Sequence, residues 1–346
     1  MEIRLSRSPG ERRVALLRDG RMIGYRLERP ARPDGVGDVV RGRITALMPA
    51  MSGAFVALPG GEDGFLPESE LPDRRIPPEG TYLNLKVTRA AQNGKGKRVS
   101  ARMAQGEARP GPDQALRWAA AHAGATILAD DAAEVARLRG LLGAERVRIG
   151  KAFDDELEDE AERLASPEWP LPGGGRMIFS PLPALVAVDV DSGGADPRET
   201  NRVAIVEFAR QLRLRDLSGG IVLDLAGLSV KQRGALEEPL RAALAPDGQT
   251  QLLGLGPLGL FELRRARIHP PLHEVLADRA LARGLALLRR AARESAAAPA
   301  RQFKLCAPAP VLAALRAMPE ALAEFAAGAG QHILLEVSDT DEIADA

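Results

Sequence analysis

The sequence predicts a multidomain protein of mixed α/β and β class, and three patterns along its 346 residues lead to this prediction. Short strand-like runs with turn residues between them recur over residues 34–102, which is typical of a small Greek-key barrel such as an OB-fold. Residues 175–268 place a helix pattern between continuous apolar strand runs, as in a βαβ unit. Residues 273–346 read as helix, strand, helix and strand, which indicates a small α+β unit.

The first and middle segments read as follows. A hairpin is predicted over residues 12–29, with Asp19 and Gly20 as its turn. Residues 106–113 form a linker, and residues 113–165 alternate helix and strand patterns before an acidic helix, FDDELEDEAERLA. We interpret the charges of that helix as a solvated face.

Composition restricts the classes of function. The formal net charge is zero, so a polyanion must be met by a local basic patch. The single cysteine, Cys306, excludes both an intramolecular disulfide framework and a cysteine-based zinc site, and it suits a reducing compartment. The sequence contains no apolar run of signal-peptide or membrane-spanning length, so we expect a soluble cytoplasmic protein without a membrane segment.

The most informative stretch is residues 184–227, in which two apolar runs each end in an acid, Asp189 and Asp224. Ligand sites collect at strand ends in open α/β sheets, so the two carboxylates suit a divalent metal and a phosphate-bearing substrate. The alternative is that each aspartate only caps the helix or loop that follows it.

Two arginine-rich segments accompany these acids, and both read as helix. Arginine forks match phosphate oxygens, although arginine is also common on helix surfaces without a function. The segment ARQLRLRDLSGG contributes Arg210, Arg213 and Arg215, and the segment LFELRRARI contributes Arg264, Arg265 and Arg267.

The barrel carries a candidate nucleic-acid surface. Phe55 and Phe65 lie near the ends of adjacent strand runs, and OB-folds hold single strands with such aromatic platforms beside a cationic track. The alternative is that both phenylalanines belong to the barrel core. The basic residues that follow them are Lys86, Arg89, Lys95, Lys97 and Arg98.

GLGPLG at residues 254–259 matches a dinucleotide-binding fingerprint, but Pro257 removes one of the N–H donors that such a loop offers to a pyrophosphate. The region 20 residues further on reads as helix and supplies no strand-end acid. A structural turn is therefore favoured, and a nucleotide-dependent oxidoreductase is not.

Taken together, VAVDVDSG, EFARQLRLRDLSGGIVLDLAGL and LGLFELRRAR resemble the catalytic core of the ribonuclease E/G family. The barrel segment VRGRITALMPAMSGAFVALPGGEDGFLPESEL resembles that family's RNA-binding barrel. From residue 1 to about residue 340, the segments of the chain follow one another in the same order as in the family. The resemblance implies four domains: an RNase H-like split domain of residues 1–33 and 113–167, an inserted OB-fold barrel of 34–105, a DNase I-like α/β catalytic domain of 168–268 and a small C-terminal α+β domain of 269–346.

The resemblance further implies a single-strand-specific endoribonuclease that uses Mg²⁺, or Mn²⁺ in its place, on ribosomal-precursor or messenger RNA. Its metal-binding aspartates correspond to Asp189 and Asp224, and its RNA-gripping barrel residues correspond to Phe55, Phe65 and Lys95. Water attack on the phosphodiester would leave 5′-phosphate and 3′-hydroxyl ends.

The chain also departs from the family pattern. Asp191 stands where the family has asparagine, which makes it a further candidate metal ligand, and Pro257 stands where the family has arginine. The loop 192–201 is shorter than in the family. The cysteine motif of the family's zinc link is missing, so we expect no zinc and no homo-oligomer built through it. Between residues 100 and 113 the chain lacks most of the segment that forms the family's 5′-end sensor. We therefore expect no preference for 5′-monophosphorylated RNA.

Two functions follow from these observations. Asp189 and Asp224 favour a compact Mg²⁺-dependent endoribonuclease. Asp191, Pro257 and the short loop favour a catalytically weakened RNA-binding protein that retains the barrel and the scaffold.

Overall fold

The computed structural model describes residues 1–92 and 94–345, which form three sheets and one closed barrel. The strands are β1 (Glu2–Ser8), β2 (Glu11–Arg18), β3 (Arg21–Glu28), β4 (Val39–Met48), β5 (Gly53–Ala57), β6 (Asp63–Pro67), β7 (Tyr82–Arg89), β8 (Lys97–Ser100), β9 (Thr126–Ala129), β10 (Val147–Ile149), β11 (Glu168–Pro170), β12 (Arg176–Pro181), β13 (Val186–Asp191), β14 (Gly219–Asp224), β15 (Thr250–Leu255), β16 (Phe261–Arg265), β17 (Phe303–Ala307), β18 (Leu334–Val337) and β19 (Glu342–Asp345). The helices are α1 (Gln114–Ala121), α2 (Ala132–Leu142), α3 (Asp155–Arg163), α4 (Pro197–Leu214), α5 (Val230–Gly234), α6 (Glu237–Leu244), α7 (Leu272–Val275), α8 (Arg279–Ala297), α9 (Ala309–Arg316) and α10 (Pro319–Ala329).

The first sheet has the strand order β10-β9-β1-β2-β3. The predicted hairpin is confirmed: β2 and β3 are antiparallel, and Asp19 and Gly20 between them have φ values of 51° and 77°, the left-handed backbone that a tight hairpin turn requires. β9 pairs parallel with β1, and β10 pairs parallel with β9, which extends the sheet by two strands. Residues 2–28 and 126–149 therefore share one sheet, and the barrel lies between them in the sequence.

The predicted small barrel is also confirmed. β4, β5, β6, β8 and β7 close on one another in that order. Alternate residues point inward and fill the interior, because side chains of a strand project to opposite faces. The most deeply buried of these side chains are Ile44, Val56, Leu66, Leu85 and Val99.

The third unit is a mixed six-stranded sheet with the order β11-β12-β13-β14-β16-β15. β13 and β14 are parallel neighbours, and α4 connects them, so the predicted βαβ unit is present. The apolar face of α4, with Phe208 and Leu212 fully buried, packs on the side of the sheet that carries Val188 and Leu223. The opposite side of the sheet is left open for the strand-end acids.

The helix predicted over LFELRRARI is wrong, because residues 261–265 are strand β16, which pairs antiparallel with β14 and β15. The reason is its period: Phe261, Leu263 and Arg265 are buried whereas Glu262 and Arg264 are exposed. An alternation of this kind places one set of side chains in the core only in a strand.

The acidic face predicted for α3 is largely exposed, as at Asp155, Glu156 and Asp159, but Glu158 is half-buried. Leu157 and Ala161 are buried in the core shared by the first sheet and the six-stranded sheet. Glu158 lies 2.6 Å from Arg13 of β2 and 2.6 Å from Arg293 of α8, measured between carboxylate oxygens and guanidinium nitrogens. Burial opposes ionisation of Glu158, but the hydrogen bonds and charges of both arginines outweigh it and lower its pKa to about 2. The helix therefore joins three parts of the protein through paired charges.

The C-terminal part packs α8, α9 and α10 on a small sheet of order β18-β17-β19. Its separate core is built from leucines of α8 and α9 with Leu305 of β17. This matches the predicted small α+β unit, with β19 as an additional strand. Within the described residues, none of the helices combines the length and apolarity that crossing a membrane requires.

The Glu158→Gln variant tests the role of α3. Its free energy of unfolding at pH 7 should be about 3 kcal/mol lower than that of the native protein, because a buried arginine loses its partner. A depressed carboxyl pKa stabilises the fold above the ordinary value of about 4.3, and this contribution fades as the pH falls toward 2.

Denaturant unfolding at several pH values gives the measurement. The difference between the two proteins should shrink between about pH 4.5 and pH 2. Glu156→Gln, an exposed site on the same helix, should change stability by less than about 0.5 kcal/mol. Equal effects of the two substitutions would contradict the assignment of Glu158.

Candidate active site

The sheet brings Asp189 and Asp224 side by side. They are register partners on the parallel strands β13 and β14, and Asp224 is the last residue of its strand. Because Val188, Val190 and Leu223 point into the core, the two aspartates project to the open face of the sheet. The open face therefore carries a pair of carboxylates at one strand end.

Asp191 lies two residues further along β13 on the same open face. Its carboxylate accepts a hydrogen bond from the backbone N–H of Gly193 at 2.9 Å and forms an ion pair with Arg176 at 3.1 Å. The hydrogen bond from Gly193 and the charge of Arg176 lower the pKa of Asp191. Arg176 is its register partner on β12. This third carboxylate is thus ionised and already bound by the protein.

Asp189 differs from both neighbours. Within residues 1–92 and 94–345, neither of its carboxylate oxygens accepts a hydrogen bond. Partial burial, followed by the charges of Asp224 and Asp191, raises the pKa of Asp189. Of the three carboxylates on the open face, Asp189 is therefore the one that is not bound by an arginine of the described residues.

Asp224 is held by an arginine that the sequence analysis missed. Nη1 of Arg233 donates to Oδ1 of Asp224 at 2.5 Å and to the carbonyl oxygen of Gly259 at 2.8 Å. Arg233 belongs to the short helix α5, which begins with a capping box between Ser229 and Gln232. The S-x-x-Q spacing was visible in the sequence and marks a helix start, but nothing in the sequence aims Arg233 at Asp224.

The donor set determines which metal this site could hold. Among the described residues, no group of three or more histidine, cysteine, aspartate or glutamate side chains is arranged to bind a metal ion. Two carboxylates on adjacent strands nevertheless fit Mg²⁺, which binds through one or two carboxylates and takes its remaining ligands from water and substrate phosphates. The geometry suits such a hard, partly hydrated ion and not a closed site of histidines and cysteines.

The barrel presents a row of side chains on its outer surface. Phe55 and Phe65 are register partners on β5 and β6, with their ring centres 5.8 Å apart in an edge-to-face arrangement. The register continues from Phe65 to Arg98 on β8 and from Arg98 to Arg89 on β7. Phe55 is 38% exposed, so it is not a core residue. Two aromatic rings followed by two guanidinium groups form a strip suited to a single nucleic-acid strand.

The lysines of the barrel separate into two groups. Lys95 is exposed in the short connection before β8, close in sequence to Arg98. Lys97 is buried and ion-paired with Glu62 at 2.5 Å, which corrects its place in the predicted cationic track. Asn93, which begins the basic NGKGKR loop, lies outside the described residues.

The expectation that Arg210, Arg215 and Arg265 bind RNA is corrected by their burial, since each is at most 6% exposed. Arg210 pairs with Glu207 and Glu160. Arg215 donates to the carbonyl oxygens of residues 164 and 166, and burial lowers its pKa to about 10. Arg265 pairs with Asp216 and Asp247. All three guanidinium groups are therefore held inside the protein and not presented to a ligand.

The remaining two arginines have different surroundings. Arg213 is half-buried, and its Nε donates to the carbonyl oxygen of Ile23 at 3.3 Å. Arg264 is exposed on the open face of the sheet, on the strand next to β14. Arg264 therefore stays available to a ligand, whereas Arg213 mainly contacts the first sheet.

GLGPLG is a turn, as predicted, and connects β15 to β16. The N–H of Gly256 donates to the carbonyl oxygen of Leu260 at 2.8 Å, and the N–H of Gly259 donates to the carbonyl oxygen of Gly256 at 2.9 Å. Its backbone donors close a hairpin instead of facing a pyrophosphate.

Comparison with known proteins identifies both units. Residues 34–99, which span nearly all of the barrel, match the S1 RNA binding domain, and this match supports RNA binding by the barrel. Residues 126–268, which contain Asp189 and Asp224, match the family model described as Ribonuclease E/G family. This segment, about two fifths of the chain, is therefore similar to the ribonuclease E/G family.

Three relatives illustrate the extent of the similarity. The chain is similar to ribonuclease E of Escherichia coli, with 37% identity over 129 residues that cover 34% of this chain and 12% of that protein. For ribonuclease E of Nostoc sp. the identity is 38% over 144 residues, or 39% of this chain and 20% of that protein. For ribonuclease G of Salmonella typhimurium it is 31% over 133 residues, or 36% and 27%. The matched segments thus span much less than half of each relative.

The Phe55→Ala variant tests the barrel strip. Loss of one stacking platform should weaken binding of a single-stranded oligoribonucleotide by about 5- to 160-fold, since a base–aromatic stack contributes about 1–3 kcal/mol. Fluorescence anisotropy without added metal gives the dissociation constant. Tyr82→Ala removes another exposed barrel aromatic, 57% exposed and outside the strip, and should leave binding unchanged. Similar losses in both variants would argue against the strip.

Proposed function

We propose that this chain is an endoribonuclease of RNA processing or decay that hydrolyses single-stranded RNA, with Asp189 and Asp224 as its catalytic acids and Mg²⁺, or Mn²⁺ in its place, as its cofactor. One observation carries the proposal: the in-register pairing of the two carboxylates on an open sheet face, in a chain that also contains an S1 barrel. The printed names of the relatives, ribonuclease E and ribonuclease G, support it.

The residues of the chain divide the work. On the barrel strip, Phe55 and Phe65 stack on the bases of the RNA, and Arg89 and Arg98 neutralise its phosphates. These contacts orient a single strand on the barrel. Lys95, in the connection before β8, adds to this cationic surface, and exposed Arg264 adds to it on the open sheet. Double-stranded RNA, whose bases are already stacked, gains little from such platforms.

At the acids, Asp189 and Asp224 provide the negative charge that holds a divalent cation at the strand ends. When bound, Mg²⁺ supplies a Lewis acid and an activated water ligand. Hydrolysis forms a bond from the water oxygen to phosphorus and breaks the bond from phosphorus to the 3′ oxygen, which takes up a proton. The products carry a 5′-phosphate and a 3′-hydroxyl.

The finer architecture belongs to the same proposal. The sheet shared by residues 2–28 and 126–149 supports an RNase H-like split domain of residues 1–33 and 113–167. The six-stranded sheet supports a DNase I-like catalytic domain of residues 168–268. We further propose that any oligomer forms without a zinc link, since the single cysteine is Cys306.

A second function, a catalytically weakened RNA-binding protein, is favoured by a specific observation. Arg176 engages Asp191 and Arg233 engages Asp224, so two of the three carboxylates on the open face already have a cationic partner. Such pairing lowers the charge available to a divalent ion. The barrel surface would be retained under either function.

The Asp189→Asn variant separates the two functions. The full chain is incubated with a 5′-labelled, A/U-rich single-stranded RNA and Mg²⁺, and product is followed on denaturing gels. Loss of one of two charged ligands should slow cleavage by at least about 100-fold, since even residues that only orient metal ligands contribute about 10- to 100-fold. Glu262→Gln, an exposed carboxylate on the same open face, is the matched control and should cleave like the native protein.

Three outcomes are informative. Cleavage by the native chain and by Glu262→Gln, but not by Asp189→Asn, supports the enzyme. Retained RNA binding without any cleavage by the native chain supports the weakened RNA-binding protein. Equal cleavage by all three proteins would mean that another site or a contaminating nuclease is responsible.

A further inference from the structure

Arg233 connects three separate segments at the candidate active site. Its Nη1 donates to Oδ1 of Asp224 and to the carbonyl oxygen of Gly259, and its Nε donates to the carbonyl oxygen of Leu228 at 3.1 Å. One guanidinium group thus joins the end of β14, the loop after it and the hairpin between β15 and β16. No other side chain among the described residues donates to Asp224.

The position of this guanidinium is fixed. The side chain of Arg233 is 16% exposed, against 46% for that of Asp224, so most of the arginine is buried and the acid is the more exposed partner. The capping box of α5 sets the direction of the helix that carries it. A planar group with Nε and Nη1 both bonded to fixed acceptors has little remaining freedom to rotate.

The third nitrogen of Arg233 is unused. Within residues 1–92 and 94–345, Nη2 makes no hydrogen bond, whereas Nε and Nη1 make three together. Nη2 is also not among the buried polar atoms that lack a partner. It is therefore not completely buried, and it has no acceptor of its own beside the strand-end acids.

The surrounding charges indicate which acceptor fits. Asp189, Asp191 and Asp224 make the open face negative, and a phosphodiester approaching it is repelled unless cations lie beside the acids. Arg176 lies at the far side next to Asp191. The hairpin GLGPLG at residues 254–259 has no cation of its own, so Arg233 provides the positive charge on that side.

We propose that Arg233 has two roles in this site: it positions Asp224 through Oδ1, and it binds a non-bridging oxygen of the RNA phosphate through Nη2. The inference rests on the proposed function for the identity of the substrate. The fork of arginine suits the purpose, because it can bind a carboxylate and a phosphate oxygen with different nitrogens at the same time.

The proposal has two consequences that do not depend on cleavage. Removing the guanidinium removes a phosphate contact, so RNA should bind more weakly. It also frees Oδ1 of Asp224, so a divalent cation should bind more tightly because it no longer competes with the arginine. If Arg233 only stabilised the loop, its removal would neither weaken RNA binding nor tighten cation binding.

Arg233→Gln is the test, with Arg233→Lys as the variant that keeps the charge and Lys231→Gln as the matched control. Lys231 is an exposed cation on the same short helix, two residues from Arg233. Three quantities are measured on the full chain: the dissociation constant of a single-stranded RNA without metal, the dissociation constant of Mn²⁺ without RNA by electron paramagnetic resonance, and kcat for cleavage. Thermal unfolding of each variant reports whether it is folded.

For Arg233→Gln we expect RNA binding weakened by about 3- to 10-fold, Mn²⁺ binding tightened by a few-fold and kcat lowered by at least about 10-fold. Lys231→Gln should match the native protein in all three, and Arg233→Lys should recover RNA binding better than kcat because lysine lacks the fork. Unchanged RNA and Mn²⁺ binding in a folded Arg233→Gln variant, or equal changes in Lys231→Gln, would overturn the proposal.

These readouts also separate the inference from the proposed function. If the native chain does not cleave RNA, the two dissociation constants still decide whether Arg233 binds phosphate and competes with the cation. If the native chain cleaves but both constants are unaffected in Arg233→Gln, the proposed function stands and the role given to Arg233 is wrong. Should Arg233→Gln be unfolded, the same comparison is made with Arg233→Lys, in which unchanged Mn²⁺ binding together with a native kcat would overturn the proposal.

Discussion

The structure depends on a set of buried arginines around the C-terminal half of α4, whose guanidinium groups donate hydrogen bonds to carboxylates and backbone carbonyls inside the protein. A guanidinium group removed from water is strongly destabilising unless partners satisfy it. Arg210 finds these partners on α4, on α3 and at the backbone of the first sheet, and Arg215 finds them at backbone carbonyls before β11. Both groups also lie over the ring of Trp169 at 5.4 and 5.9 Å. The six-stranded sheet, helix α3 and the first sheet are therefore locked in one arrangement.

That arrangement places the strand-end acids next to each other on the open face of the sheet. α4 presses on one side of β13 and β14, which keeps the two strands adjacent and turns Asp189 and Asp224 to the other side. β16 is held in the same way, because its buried Arg265 pairs with Asp216 and Asp247. Charges in the interior thus hold the frame, and charges on the open face are left for a ligand.

Sequence patterns predicted much of this, but not all. Alternation and turn residues were sufficient for the hairpin, the barrel and the βαβ unit, because each is determined by local periodicity. The strand of residues 261–265 was misread because its arginines dominated the pattern, although Phe261 and Leu263 alternate with exposed residues. The roles of Arg210 and Arg233 could not be read from sequence, since their partners lie far along the chain or in another loop. In the sequence alone, an arginine on the exposed face of a helix cannot be distinguished from one that is buried and ion-paired.

The central claim is that Asp189 and Asp224 together hold the ion at which RNA is hydrolysed. Crystals of the full chain soaked in Mn²⁺, with diffraction recorded at the manganese absorption edge, test it most directly. We expect one anomalous peak on the open face of the sheet, within coordination distance of both carboxylates, and no such peak in the Asp189→Asn variant. A peak bound elsewhere, or none in crystals that bind single-stranded RNA, would contradict it.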